Sequence, residues 1–205
     1  YTIVCNEMKW PVDPVEIWEG GTNGLPLQNA TTTGYYLKKY VNNTISFEAG
    51  STVTKKQHNW VLFRYGEILL NYAEAMINAF HDPNYKDAVY NMSAREAVNQ
   101  IRGRTNISLP GFPSDITEKD FVKRLKNERR VELAFEGHRF WDVRRWKELG
   151  QTANIYGVKI TKNNEVISYE KFLLETRAVT DNMYFYPIPN TERFKNPNLG
   201  QNPGW

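Results

Sequence analysis

With 205 residues, the chain is long enough to bury one sizeable core. Its 40% hydrophobic and 24% charged content is ordinary for a globular protein. Net charge is +3, and the segment 118–148 holds ten Lys/Arg against seven Asp/Glu with the signs interleaved, a pattern of salt-bridged helices and not of a nucleic-acid footprint.

The single cysteine, Cys5, excludes an intrachain disulfide and a cysteine-based zinc cluster. No apolar run approaches the ~18 residues of a membrane-crossing helix. The aromatic share is 14%, with six Trp and twelve Tyr, which suits either a thick core or flat stacking surfaces.

In chain order, residues 1–59 are rich in breakers (Pro11, Pro14, Gly20, Gly21, Gly24, Pro26, Gly34) and read as loops, with a short extended piece near Tyr35–Val41. Within them Trp10 and Trp18 stand near Glu16, Asn23 and Asn29. Flat rings beside amide and carboxylate groups on loops are what sugar recognition requires. The plainer alternative is that both rings plug a core edge.

From Leu62 to Phe80, apolar residues recur at i, i+3/i+4 and predict an amphipathic helix. Gly66 and Ala73 leave room on it for a close neighbour, and His81-Asp82-Pro83-Asn84 ends it. Ser93 and Glu96 have capping-box spacing, opening a second helix with Ala94, Ala97, Val98 and Ile101 on one side and Gly103 as its stop. Two such helices resemble a tetratricopeptide-type hairpin. Thr117 and Asp120 open a long third helix that Gly137 breaks, and a fourth runs to Leu149, where Gly150 caps it. Tyr156–Ile160 and Val166–Tyr169 flank Lys162-Asn163-Asn164-Glu165, a hairpin signal. From Tyr184 onward the prolines predict an irregular, extended tail.

On a helical wheel Phe121, Leu125 and Phe135 fall within roughly 80° of one another, with Glu128 and Glu132 inside that arc. Two carboxylates on an apolar face need cationic partners; the candidates are Arg64, Arg139, Arg144 and Arg145. An Arg fork suits such a junction. The rival reading is a carboxylate pair for glycoside hydrolysis. We read the pair as a structural ion-pair network that fixes how helices dock, with Tyr35, Tyr36, Trp60, Trp141 and Trp146 as core. His58, His81 and His138 are scattered, so no metal site is expected, and no cofactor signature occurs.

The run Asn127–Trp146 closely resembles the C-terminal signature of the SusD/RagB family, outer-membrane nutrient-binding lipoproteins of glycan-foraging Gram-negative bacteria. Three further blocks match in the family's order. Thr33–Tyr40 is similar to its GYY-x-x-KY element, and Phe63–Ala75 to its RYAEvLLnYAEA helix, with Gly66 where Ala is usual. Tyr186–Pro189 with Asn196–Trp205 is similar to its closing PIP…NPNLxQNPGY, with Trp205 for the usual Tyr.

The resemblance implies an all-α fold of tetratricopeptide-like hairpins with long irregular loops and a small β-hairpin. It makes residues 1–205 the C-terminal part of a SusD-like domain: 1–59 loop-rich, 60–150 the helical core, 151–205 hairpin and extended tail. The N-terminal part and its lipid anchor would lie outside this chain. The implied function is non-catalytic capture of oligosaccharide at the cell surface for a SusC-like TonB-dependent transporter. Alternatives are a peptide-binding RagB-like member, a glycoside hydrolase using Glu128 and Glu132, and a helical-repeat adaptor that binds only protein.

Overall fold

The computed structural model describes residues 3–9, 13–45, 50, 52–105 and 107–205, and divides into two compact units. One is Asn59–Arg139; the other joins Tyr1–His58 to Phe140–Trp205.

The first unit is helical: α1 (Tyr65–Phe80), α2 (Ala94–Arg102) and α3 (Glu118–Glu132). Helix α1 buries Leu69, Leu70, Ala73, Met76 and Ile77 at helical spacing, and packs on both α2 and α3. It begins three residues later than the periodicity suggests, because Arg64 is extended (φ −145°, ψ 154°) and Leu62 points into solvent. His81 closes it in the left-handed region (φ 56°), with its N–H on the Ile77 carbonyl.

Both halves of the α2 capping box form: Glu96 N–H donates to Ser93 Oγ at 3.1 Å, and Ser93 N–H to Glu96 Oε2 at 2.8 Å. Thr117 caps α3 by accepting from Asp120 N–H at 3.2 Å. The core these helices share includes Val98, Ile101, Phe112, Phe121, Leu125 and Leu133. Phe121 is fully buried, edge-on to Phe112 at 5.8 Å, so cutting it to Ala would cost about 3–5 kcal/mol.

Phe135 does not join this face. Helix α3 stops at Glu132, and Phe135 sits in the following turn with φ 63°, exposed. The wheel projection fails there because helical geometry ends before the residue is reached. A fourth helix, α4 (His138–Arg145), follows Gly137. It ends four residues short of the expected Leu149, since Lys147 turns left-handed (φ 55°); Gly150 then lies inside a 3-10 turn, Leu149–Thr152, and not after a helix.

The second unit carries two antiparallel two-stranded sheets: β1 (Ile3–Val4) with β2 (Tyr36–Leu37), and β3 (Asn154–Asn163) with β4 (Val166–Thr176). The β3–β4 hairpin is about twice the length its hydrophobic alternation suggests, and it turns at Asn164-Glu165. Asn164 takes the positive φ there (55°), which Asn tolerates. The fold is thus helix-rich with five helices and two small sheets among the described residues, and not all-α.

Val4, Val15, Ile17 and Ile160 form this unit's core, with Met8, Trp18, Tyr36, Val158 and Ile167 packed against it. The tail contains a short helix, α5 (Asn190–Lys195), where an extended chain is expected. Elsewhere side-chain amides replace a strand partner. Gln201 accepts from Ile188 N–H at 2.7 Å and donates to Ile188 C=O at 3.0 Å, and Asn202 donates to Tyr186 C=O.

Candidate functional site

The ion-pair cluster lies within the helical unit. Glu132 sits at the end of α3 and receives Arg64 Nη1 at 2.5 Å and a two-pronged contact from Arg104, Nη1 and Nη2 each at 2.8 Å. Arg64 also donates from Nε to Glu136 at 2.7 Å and from Nη2 to the Glu132 carbonyl. Glu128, one turn earlier, accepts from Arg102 Nη1 at 2.5 Å. Beside them Arg129 is buried and donates to Asn71 at 2.6 Å, while buried Glu67 faces His138 Nε2 at 3.6 Å.

Room for the Arg64 fork comes from Gly66. A Cβ there would stand 2.8 Å from Arg64 Nη1 and 3.2 Å from Glu132 Oε1. The small residue on α1 admits a guanidinium where the sequence suggests a neighbouring helix.

Burial works against charge on Glu132, but the hydrogen bonds from Arg104 and then Arg64 outweigh it and hold the carboxyl below its ordinary range. Burial likewise disfavours the Arg64 cation, and Glu136 and Glu132 more than compensate. Glu132, so occupied, is built to stay charged.

Of the nominated arginines, the structure brings Arg64 to Glu132. Arg144 and Arg145 engage nearer groups. Arg144 lies over the Phe140 ring at 3.4 Å and donates to the Phe140 carbonyl, and Arg145 pairs with Asp142 three residues back at 2.9 Å; Arg139 is half-buried at the end of the helical unit. Besides Arg64, Arg102 reaches Glu128 and Arg104 reaches Glu132; they come from the end of α2 and the turn after it. Their signal was available: Arg102 is the last residue before the Gly103 stop, where a cation complements the helix dipole.

Several aromatics expected in the core are exposed instead. Trp60 is 83% accessible and Trp141 58%. Trp141 forms a cluster with Phe140 (5.0 Å, edge-on) and Tyr186 (6.1 Å). Tyr35 is also exposed, whereas Tyr36 packs on the second core and donates to the Asn23 carbonyl at 2.7 Å.

The nominated sugar-site residues lie in the sheet-bearing unit, except that Trp10 falls outside the described residues. Glu16 and Asn23 come together, but to brace their own loop. Asn23 Oδ1 accepts from Glu16 N–H at 3.1 Å, and Glu16 Oε2 from Thr22 N–H at 3.3 Å. Trp18 is half-buried against the core, with Lys162 Nζ 4.5 Å above its ring. Asn29 occupies an exposed turn with φ 67°.

A concave feature of this unit is adjacent. The loop through residues 17–34 is tied to β3 at two points: Glu19 N–H donates to the Ile160 carbonyl and Val158 N–H to the Thr33 carbonyl, both at 2.9 Å. Gly34 permits the second tie. Its φ is +76°, and a Cβ on it would lie 2.2 Å from Val158 O.

Beside the ties is a groove of about 180 Å³. Its apolar lining is Ile17, Leu25, Val158, Ile160 and Phe172; its polar lining includes Glu19, Thr31, Thr32 and Lys159. Sequence reasoning missed the threonines, Lys159 and Phe172, because nothing local in the sequence joins a threonine cluster to a strand more than a hundred residues on.

Comparison with known proteins agrees with these motifs. The SusD family model matches residues 10–205. SusD-like protein P2 of Formosa agariphila is 29% identical over 163 residues, covering 77% of this chain and 28% of the relative. SusD-like protein P38 of the same organism is 37% identical over 150 residues, covering 70% and 24%. A SusD-like protein of Bacteroides fragilis has a solved structure that superposes with a TM-score of 0.77 at 27% identity, covering all of this chain and 38% of that one. The chain therefore spans about a quarter of the length of the curated relatives it matches. It belongs to the SusD family.

Proposed function

We propose that the protein is a non-catalytic binder of oligosaccharide at the cell surface. It is held at the outer membrane by a lipid anchor, and it delivers its ligand to a SusC-like TonB-dependent transporter. The family match over residues 10–205 carries this reading. On it, α1 and α2 form a tetratricopeptide-like hairpin, and the loops around the β3–β4 hairpin face ligand.

The arginine partners of Glu128 and Glu132 support a binder over a hydrolase. A glycosidase needs one carboxyl protonated near neutral pH, whereas Arg104 and Arg64 favour the charged form of Glu132. Glu128, Glu132, Arg64, Arg102 and Arg104 then serve as a structural lock.

Calorimetric titration with linear and branched oligosaccharides tests the proposal. Saturable heat with at least one saccharide is expected. Heat with peptides and none with any saccharide would replace it with the peptide-binding alternative.

A further inference from the structure

The groove over β3 has a chemistry of its own. Resting on the oligosaccharide reading of the protein, we propose that it is a subsite for a single neutral pyranose ring, taken end-on as the terminal residue or a side branch of a glycan.

Size comes first. At about 180 Å³ the groove is well below the ~300–1,000 Å³ of pockets that bury a drug-sized ligand. It holds one ring and not a run of them.

The lining divides as a pyranose does. Ile17, Leu25, Val158, Ile160 and Phe172 offer apolar surface to the C–H face of a sugar. The Phe172 ring reaches the loop side because its cross-strand partner is Gly157, and a Cβ on Gly157 would stand 2.7 Å from Phe172 Cζ. Thr33 O lies 3.2 Å from that same Cβ position, so the ring and the loop meet over one glycine.

The polar lining offers both hydrogen-bonding senses. Thr32 is exposed, and its hydroxyl both donates and accepts. Glu19 and Lys159 stand 3.2 Å apart, each about half accessible, and present a carboxylate acceptor and an ammonium donor side by side. A vicinal diol satisfies both at once.

Charge decides the class of sugar. The two charged groups of the lining, Glu19 and Lys159, cancel, so the groove has no surplus cation for a uronate or sulfated sugar. An added anion would lose to Glu19 what it gains from Lys159 and would still shed its hydration on entering. A neutral ring pays no such penalty.

The test is saturation-transfer NMR and calorimetry on the whole chain. The probes are methyl glycosides of glucose, galactose, mannose and xylose, methyl glucuronide, and neutral linear hexasaccharides. Each is repeated on Glu19→Gln, Thr32→Val and Gly157→Ala. At least one neutral methyl glycoside should bind and the glucuronide should bind more weakly. Loss of a charge-assisted contact in Glu19→Gln should weaken binding about tenfold or more.

Glu19 and Thr32 are exposed, so the thermal midpoint of these two variants should match the parent and report an intact fold. Hexasaccharide binding that is unchanged in Glu19→Gln and Thr32→Val would overturn the subsite and leave the oligosaccharide reading standing. Absence of binding to every saccharide would overturn both. Preference for the glucuronide would overturn the neutral-sugar assignment.

Discussion

Arg64 and Glu132 stand 68 residues apart in sequence and meet at 2.5 Å, at the C-terminal end of α3. The same guanidinium holds Glu136 at 2.7 Å, so one side chain at the entrance to α1 anchors the end of α3 and the turn beyond it.

Substitutions at this junction should be graded in cost. Arg64→Ala removes a guanidinium shared by two largely buried carboxylates and should cost the most, about 3–5 kcal/mol. Glu132→Ala leaves Arg64 still on Glu136, and should cost about 2–3 kcal/mol. Arg104 is 44% accessible on its side chain, so Arg104→Ala should cost less than about 1 kcal/mol. Urea unfolding midpoints at constant m-value check the order; an Arg104→Ala loss as large as that of Arg64→Ala would contradict it.

Acid should loosen the same junction. Folding lowers the Glu132 carboxyl below its ordinary value of 4.5, so the folded state binds fewer protons than the unfolded one around that pH. The stabilisation is therefore fully present above about pH 4.5 and is lost as pH falls through the lower folded value. Thermal midpoints between pH 7 and pH 3 should fall on the acid side for the parent, and fall less for Glu132→Gln.

Gly34 and Gly20 make a controlled pair. Both have positive φ, +76° and +86°, but a Cβ meets Val158 O at 2.2 Å on the first and nothing within 4 Å on the second. Gly20→Ala should cost about 1–2 kcal/mol, the left-handed penalty alone. Gly34→Ala should cost more, and should speed amide exchange at Val158, whose N–H is bound to the Thr33 carbonyl.

Gln201→Leu should release the tail. Its amide satisfies both the N–H and the C=O of Ile188; without it two half-buried backbone groups lose partners, at about 1–3 kcal/mol. Faster exchange of the Ile188 amide, with the helical-unit amides unchanged, is the expected signature.

Local signals were read well from sequence where the physics is local. The Ser93/Glu96 box and the His81 stop depend on residues within one helical turn, and both form as their spacing implies. The placement of Glu128 on the buried face of α3 also follows from periodicity. What failed depended on geometry beyond the pattern. Phe135 left the wheel once α3 ended, and α4 stopped short because Lys147 adopts a conformation no propensity favours. Arg102 and Arg104 were overlooked because contact in space, and not proximity in sequence, selects an ion-pair partner. The exposed faces of Trp60 and Trp141 show the limit of reading aromatic content as core. For the groove, Glu16 and Asn23 had the right composition for sugar contact, yet the loop uses them as internal braces.

The two ties that hold the loop on β3 join main-chain groups, and this separates the frame from its furnishing. The side chains of Leu25 and Thr32 take no part in either hydrogen bond, and in this stretch only Gly34 is held to one residue type by its approach to the strand. Selection can therefore re-tool the walls for a different ligand one side chain at a time, without reopening the question of how the loop is folded.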